Sequence, residues 1–152
     1  MAKVLVLGAT GMLGSAVAAE LEKSNLELHT ASRTSGLRFD AANLEVESLF
    51  TAAGLRAGDF VINCVGLTKS RIDEESLASR SNAVRLNVDF PAELARVSEA
   101  MGVKVIQVAT DCVFSGLAGG YTESSPHDPL DVYGKTKSLG EIPSKNVMHL
   151  RC

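Results

Sequence analysis

The chain has 152 residues, 45% of them hydrophobic and 22% charged, enough for one buried core in a single domain. A formal net charge of -3 with no run of Lys or Arg excludes the clustered cationic face that nucleic-acid binding requires. The first apolar stretch, residues 4–7, is far too short to span a membrane and no signal peptide precedes it, so the expected address is cytoplasmic.

Val4, Leu5, Val6 and Leu7 form the continuous apolar run of a strand buried on both faces. A glycine turn follows, and residues 12–23 carry Leu13, Val17, Ala18 and Leu21 at helical spacing. Residues 26–31 read as a second strand and 37–39 as a short third. Residues 44–53 read as a helix with Asn43 as its N-cap. Residues 60–65 make a fourth strand closed by Gly66, and the polar stretch 69–79 has no assignable pattern. A long helix is expected over 83–101, with Gly102 ending it and Pro91 either kinking it or opening its second segment. Residues 103–109 form a fifth strand. The stretch 115–129 is a Gly-, Ser- and Pro-rich loop, and loops of that length are often functional. A helix over 131–141 and a sixth strand over 146–151 complete the chain.

This alternation predicts an α/β fold, a doubly wound parallel sheet with helices on both faces, as one domain over 1–152. The chain stops inside its last strand, and a central strand rarely ends a domain bare. The expectation is therefore a fragment or an abbreviated product. Cys64, Cys112 and Cys152 are odd in number, far apart and without metal-ligand spacing, which predicts reduced thiols and no metal site.

Gly8-Ala9-Thr10-Gly11-Met12-Leu13-Gly14 is a G-x-x-G-x-x-G turn between a strand and a helix. The first glycine permits the sharp turn, the second lets backbone approach a pyrophosphate, and the third lets helix and strand pack closely. The helix N-terminus adds free N–H groups and a positive dipole end. Strand before and helix after is the context that turns the pattern into a dinucleotide-binding signal, against the alternative of an ordinary tight turn. The second strand ends in His29-Thr30-Ala31-Ser32-Arg33-Thr34, without the carboxylate that bonds a ribose 2′-hydroxyl in NAD sites. Arg33, helped by Ser32, is instead placed to receive a 2′-phosphate, which favours NADP(H) over NAD(H); the alternative is a solvated surface Arg33. Asp40 comes too late for the ribose and is expected near the adenine amino group.

Tyr133 and Lys137 are four residues apart and share a helix face. An ammonium beside a phenol is expected to lower the phenol's pKa and ready it for proton exchange with a carbonyl or hydroxyl oxygen. Thr110, at the carboxyl end of the fifth strand, is where open α/β sheets hold ligands. Its hydroxyl either bonds the reacting oxygen or merely caps the strand end. Asp111 either orients substrate hydroxyls or forms the turn.

Together these residues resemble the extended short-chain dehydrogenase/reductase family, in its dTDP-4-dehydrorhamnose reductase branch of nucleotide-sugar reductases. Residues 8–14 carry the resemblance, with V-I-N-C-V-G at 61–66 and N-V-D-F-P-A-E-L-A at 87–95. The most specific segment is 109–141, with A-T-D-C-V-F-S-G, then Y-T-E, then D-V-Y-G-K-T-K-S-L-G-E. The resemblance implies a Rossmann fold of strand order 3-2-1-4-5-6 and hydride transfer from a nicotinamide to a nucleotide-linked 4-keto deoxy sugar, for surface polysaccharide synthesis. It makes Tyr133 the proton donor and Lys137 the holder of the nicotinamide ribose, with Thr110 on the sugar carbonyl and Asp111 on the substrate. It puts Gly11, Met12 and Leu13 at the pyrophosphate, Asp40 and Ala41 near the adenine, and Gly66, Leu67 and Thr68 near the nicotinamide ribose. Asn87 matches an asparagine that supports the site.

Two departures stand out. Cys112 follows Thr-Asp where the rhamnose enzymes often have Tyr, which points to a sister subgroup. The family's C-terminal, substrate-gripping half is absent, so cofactor binding is expected to survive better than turnover. The alternatives are a dinucleotide-binding regulatory subunit without turnover and an epimerase or dehydratase holding NAD. The intact Thr110, Tyr133 and Lys137 weigh against the first. The missing carboxylate after the second strand weighs against the other. Assembly as a homodimer is left open.

Overall fold

Apolar runs without alternation need cover on both sides, and β1 (Lys3–Leu7) has it: Leu5, Val6 and Leu7 are fully buried. The computed structural model describes residues 2–152. Around β1 lie β2 (Glu27–Ser32), β3 (Leu37–Arg38), β4 (Phe60–Asn63), β5 (Lys104–Val108) and β6 (Val147–Leu150). All pairings are parallel, in the order β3-β2-β1-β4-β5-β6. The expected strand order is therefore the observed one, with the winding reversing between β1 and β4. β6 is an edge strand, not the central one expected for the chain's last strand.

Right-handed crossovers divide the helices between the faces. The helix α1 (Met12–Leu21) packs on β1 and β2. On the opposite face α2 (Val46–Ala52), α3 (Leu77–Val84), α4 (Phe90–Met101) and α5 (Val132–Leu139) cover the rest. There Leu5, Leu7, Val61 and Val105 meet Val46 and Phe50 of α2 and Phe90, Leu94 and Val97 of α4, the main core.

Element existence follows the sequence pattern, but several ends move. α1 stops at Leu21, two residues early; β2 starts at Glu27 and β4 ends at Asn63. Asn43 is not the N-cap of α2. The Asp40 carboxylate accepts from Ala42 N at 3.0 Å and starts a 3-10 turn, Ala41–Asn43, instead. Leu44 then takes a left-handed conformation (φ 58°), so α2 begins only at Val46.

The polar stretch without a pattern hides a 3-10 turn, Lys69–Arg71, and the start of α3 at Leu77, capped by the Ser76 hydroxyl. From Leu77 the helix continues to Met101, longer than expected, through a π-helical turn over Arg85–Asp89. Pro91 is the second residue of α4 and so opens the second segment, one of the two outcomes expected of it. Pro91 has no N–H for the Asn87 carbonyl, and its ring crowds that oxygen; the widened turn relieves the clash. Gly102, with φ 70°, closes the helix as expected.

Candidate functional site

The site forms at the reversal point, where the loops after β1 and β4 meet above the carboxyl edge of the sheet. Gly8 has φ 74°, and a Cβ there would press on Val65 Cγ2 at 3.1 Å and on the Cys64 backbone at 3.3 Å. Gly11 donates its N–H to Gly8 O at 2.9 Å and caps α1 without a side-chain bond. A Cβ on Gly14 would run into the Gly8 carbonyl, so only glycine lets α1 sit this close to the turn. The first turn of α1 stands open: Met12 is 93% exposed.

Two adjoining clefts run from this loop. One, about 370 Å³, is lined by Gly8, Thr10, Gly11, Ser32, Arg33, Asp40 and Ala41, together with Gly66 and Leu67. The other, about 440 Å³, is lined by Gly11, Met12, Leu13, Gly66, Leu67, Thr68, Tyr133 and Lys137. Their sizes suit the two halves of a dinucleotide. Every cofactor-binding residue expected from the sequence lines one cleft or both, except Gly14, which lies beneath the loop. Ser32 is committed locally: its hydroxyl donates to Ser35 O at 2.8 Å and accepts from Ser35 N at 2.8 Å, shaping the β2–β3 turn. Arg33 beside it is exposed.

Asp131 caps α5, accepting from Gly134 N at 2.7 Å, while Glu74 accepts from Val132 N at 3.1 Å. Lys69 pairs with the other Asp131 oxygen at 2.8 Å. These contacts set the helix that carries Tyr133 and Lys137 at the second cleft. Lys137 is buried, with Nζ donating to Val108 O at 2.8 Å. A Cβ at Gly66 would lie 4.0 Å from Nζ, an ordinary contact, so Gly66 borders the ammonium directly.

Electrostatically the pair differs from the simple expectation. Burial pushes the Tyr133 phenol above its usual 10.0; a hydrogen bond with Thr110 opposes that, and nearby Cys112, Asp111 and Asp131 add to the rise. Lys137 is not among the groups that lower it; its ammonium is spent on Val108 O. Burial in turn lowers Lys137, against Glu141 and the end of the chain at Cys152. The phenol thus keeps its proton at neutral pH. Thr110, buried after β5, takes the capping role: its hydroxyl accepts from Cys112 N at 3.2 Å, and it lies beside the phenol. Asp111 opens the exposed 3-10 turn that follows.

Asn87 is 2% exposed on the π-helical turn and clasps Leu67, the cleft-lining residue after β4. Sequence reading missed Arg71, which lines both clefts, and Asn82 and Leu86, which line the first. Arg71 sits in the stretch whose pattern was unreadable and Asn82 just past it, while Leu86 lies in the expected helix; only the spacing of Asn82 and Leu86, four residues apart, was a signal. The cysteines are free, and burial raises the Cys64 thiol to about 11. Among the described residues no group of three or more His, Cys, Asp or Glu is arranged to hold a metal, and no helix is long and apolar enough to cross a membrane.

The family model described as the RmlD substrate binding domain matches residues 2–149. The chain is 33% identical over 143 residues to methionine adenosyltransferase 2 subunit beta of Mus musculus, covering 91% of this chain and 41% of that protein. It is 30% identical over 145 residues to dTDP-4-dehydrorhamnose reductase of Mycobacterium tuberculosis, covering 91% and 44%. Among solved structures, dTDP-4-dehydrorhamnose reductase of Bacillus anthracis in complex with NADP superimposes with a TM-score of 0.84 at 25% identity, over 99% of this chain and 53% of that one. The chain thus spans less than half the length of these curated relatives.

Proposed function

The chain belongs to the RmlD substrate-binding-domain family, and on that footing we propose that it is the NAD(P)-binding domain of a nucleotide-sugar reductase. The observation that carries the reading is the meeting of Tyr133 and Lys137 with Gly11, Met12 and Leu13 of the glycine loop along one cleft. The glycine cradle, which tolerates no Cβ at Gly14, fits a diphosphate, and the cleft that Gly66 and Lys137 line together fits a ribose.

A nicotinamide dinucleotide supplies a hydride when bound. The chain's residues supply the rest. Backbone N–H groups at the start of α1 hold the diphosphate, and Arg33, with no carboxylate at the end of β2, favours a 2′-phosphate and hence NADP(H) over NAD(H). Asp40 and Ala41 flank the adenine. Lys137 donates to the nicotinamide ribose, and Thr110 orients the substrate carbonyl. Tyr133, protonated because it is buried, gives its proton to the oxygen that becomes a hydroxyl. Asp111, exposed beside it, meets the sugar. The substrate class, a nucleotide-linked 4-keto deoxy sugar, is supported by the reductases among the relatives. Three free thiols are compatible with a cytoplasmic site.

Isothermal titration of the 152-residue chain with NADPH tests the binding half, and micromolar affinity is expected. Tyr133→Phe should abolish NADPH oxidation by a 4-keto sugar nucleotide while leaving NADPH affinity within threefold. Turnover that survives the loss of the phenol would remove Tyr133 from the mechanism. The second reading, a dinucleotide-binding regulatory subunit, is supported by the 33% identity to the methionine adenosyltransferase subunit. It predicts tight NADPH binding with no oxidation of NADPH by any keto sugar nucleotide.

A further inference from the structure

The first cleft is lined on one side by Asp40 and Ala41, from the turn after β3, and also by Asn82 and Leu86, from the long helix. Most of that turn's backbone is satisfied from within. Ala42 N–H donates to Asp40 Oδ1 at 3.0 Å, Asn43 N–H to Asp40 O at 3.0 Å and Leu44 N–H to Ala41 O at 3.3 Å. The Ala42 carbonyl is served differently. It accepts from Arg85 Nε at 2.8 Å, across 43 residues of chain. The turn also ends in the left-handed Leu44, a conformation that leucine rarely adopts and that contacts from elsewhere must hold.

Arg85 opens the π-helical turn, and among the described residues its guanidinium has no second hydrogen-bond or ion-pair partner. Arg96 and Arg151, by contrast, fork onto the carboxylates of Glu93 and Glu141. The bond from Arg85 is therefore no by-product of a surface ion pair. Three successive residues of the π-helical turn reach three different places. Arg85 holds Ala42, Leu86 lines the first cleft, and Asn87 clasps Leu67 beyond β4. One short piece of helix thus grips a loop on either side of itself, with a buried amide for one and an exposed guanidinium for the other.

We propose that Arg85 is a positioning residue for the first cleft: its bond to Ala42 O staples the wall made by Asp40 and Ala41 to the helix that lines the same cleft. The inference rests on the dinucleotide-binding reading for its purpose, since in that reading this wall flanks the adenine. The staple itself does not depend on what occupies the cleft. Because Arg85 is exposed and its acceptor is one carbonyl, removing the guanidinium frees the turn without opening the core.

Backbone amide hydrogen exchange on the full 152-residue chain, without ligand, reads the staple directly. Arg85→Met should speed exchange at Ala42, Asn43 and Leu44 and leave the Leu67 amide as protected as in the parent. Calorimetry with adenosine 2′,5′-bisphosphate, the adenine end of NADPH, should show affinity weakened about three- to tenfold, the range of one hydrogen bond. Arg85→Lys, which keeps a cationic donor, should restore both values to near the parent's. Exchange that is unchanged in the turn, or that rises at Leu67 as much as in the turn, overturns the proposal, the second result marking a general loosening. So does a looser turn that binds the bisphosphate as tightly as the parent. If the parent binds neither NADPH nor the bisphosphate while Arg85→Met loosens only the turn, the staple stands and the cofactor reading alone falls.

Discussion

The side-chain amide of Asn87 closes on both backbone groups of Leu67: Oδ1 accepts from its N–H at 2.8 Å and Nδ2 donates to its carbonyl at 3.0 Å. The same Nδ2 donates to Thr136 Oγ1 at 3.1 Å. One buried residue thereby holds the loop after β4 and the helix of Tyr133 in register across the cleft. Asn87→Ala should cost about 3 kcal/mol in chemical denaturation, since it strands a buried N–H and a buried C=O. It should also weaken NADPH binding at least tenfold, although Asn87 lines neither cleft. Stability within 1 kcal/mol of the parent would mean that water replaces the clasp.

Gly140 approaches the backbone of the same residue, and a Cβ there would collide with the Asn87 carbonyl oxygen. That carbonyl is the one Pro91 cannot serve, so the close approach occupies space the helix left open. Gly140→Ala should destabilise the fold by about 2 kcal/mol through forced separation of α5 from the π-helical turn. Gly116→Ala is the control, because nothing lies within 4 Å of a Cβ there and only its φ of 79° opposes the change. A smaller loss at Gly140 than at Gly116, measured by thermal unfolding, would show that the two segments yield easily.

Arg33 and Arg71 divide the recognition differently. Arg33 lines only the first cleft, and Arg71 lines both. Arg33→Ala should therefore weaken NADPH several-fold more than NADH, whereas Arg71→Ala should weaken both by a similar factor, about tenfold, as loss of a diphosphate contact would. Calorimetry with the two cofactors separates these outcomes. Equal losses for Arg33→Ala would mark that residue as solvated surface.

Acid should unfold the chain through identifiable carboxylates. Burial raises Asp59, but the Lys3 and Arg56 N–H groups it accepts from outweigh that and hold it below its ordinary 3.8. Burial likewise raises Glu141, and the Arg151 fork brings it below 4.5. A carboxyl lowered by folding adds stability that is complete above its unfolded value and is lost as pH falls through the folded one. Unfolding free energy should thus stay level from neutral pH to about 5 and drop below that. Asp59→Asn should lower the plateau by about 1 kcal/mol and flatten the acid limb. An unchanged acid limb would exclude Asp59 as a contributor.

The thiols should react in a defined order. Cys112 is exposed, while Cys64 is half-buried with its thiol raised to about 11. Iodoacetamide at pH 8 should label Cys112 and leave Cys64 largely free over the same interval, as read by peptide mass spectrometry. Dinucleotide should protect Cys64 further, because it lines both clefts.

What the sequence made legible was whatever depends on neighbours in the chain. Buried strands announce themselves as unbroken apolar runs, and the spacing of Gly8, Gly11 and Gly14 reports a backbone approach that no side chain allows. Tyr133 and Lys137 needed only helical periodicity. α3 stayed hidden because its exposed Leu77, Arg80 and Asn82 carry no apolar stripe. Asn43 was misread because Asp40, three residues earlier, opens a 3-10 turn over Ala41–Asn43, and the left-handed Leu44 then delays α2 to Val46. The ordinary argument for a Tyr–Lys pair also misled on the phenol, because Lys137 spends its proton on Val108 O, a contact 29 residues away that no local pattern encodes.

The widened turn at Arg85–Asp89 has a consequence for how this region tolerates change in length. A π-helical turn holds about one residue more than an α-helical one, so deleting a single residue there would restore ordinary winding with both flanks still facing as they do now. Phe90 and Leu94 would stay in the core, and the loss would fall on Asn87 and its clasp on Leu67. The extra residue of this span therefore serves the site and not the packing of the helix.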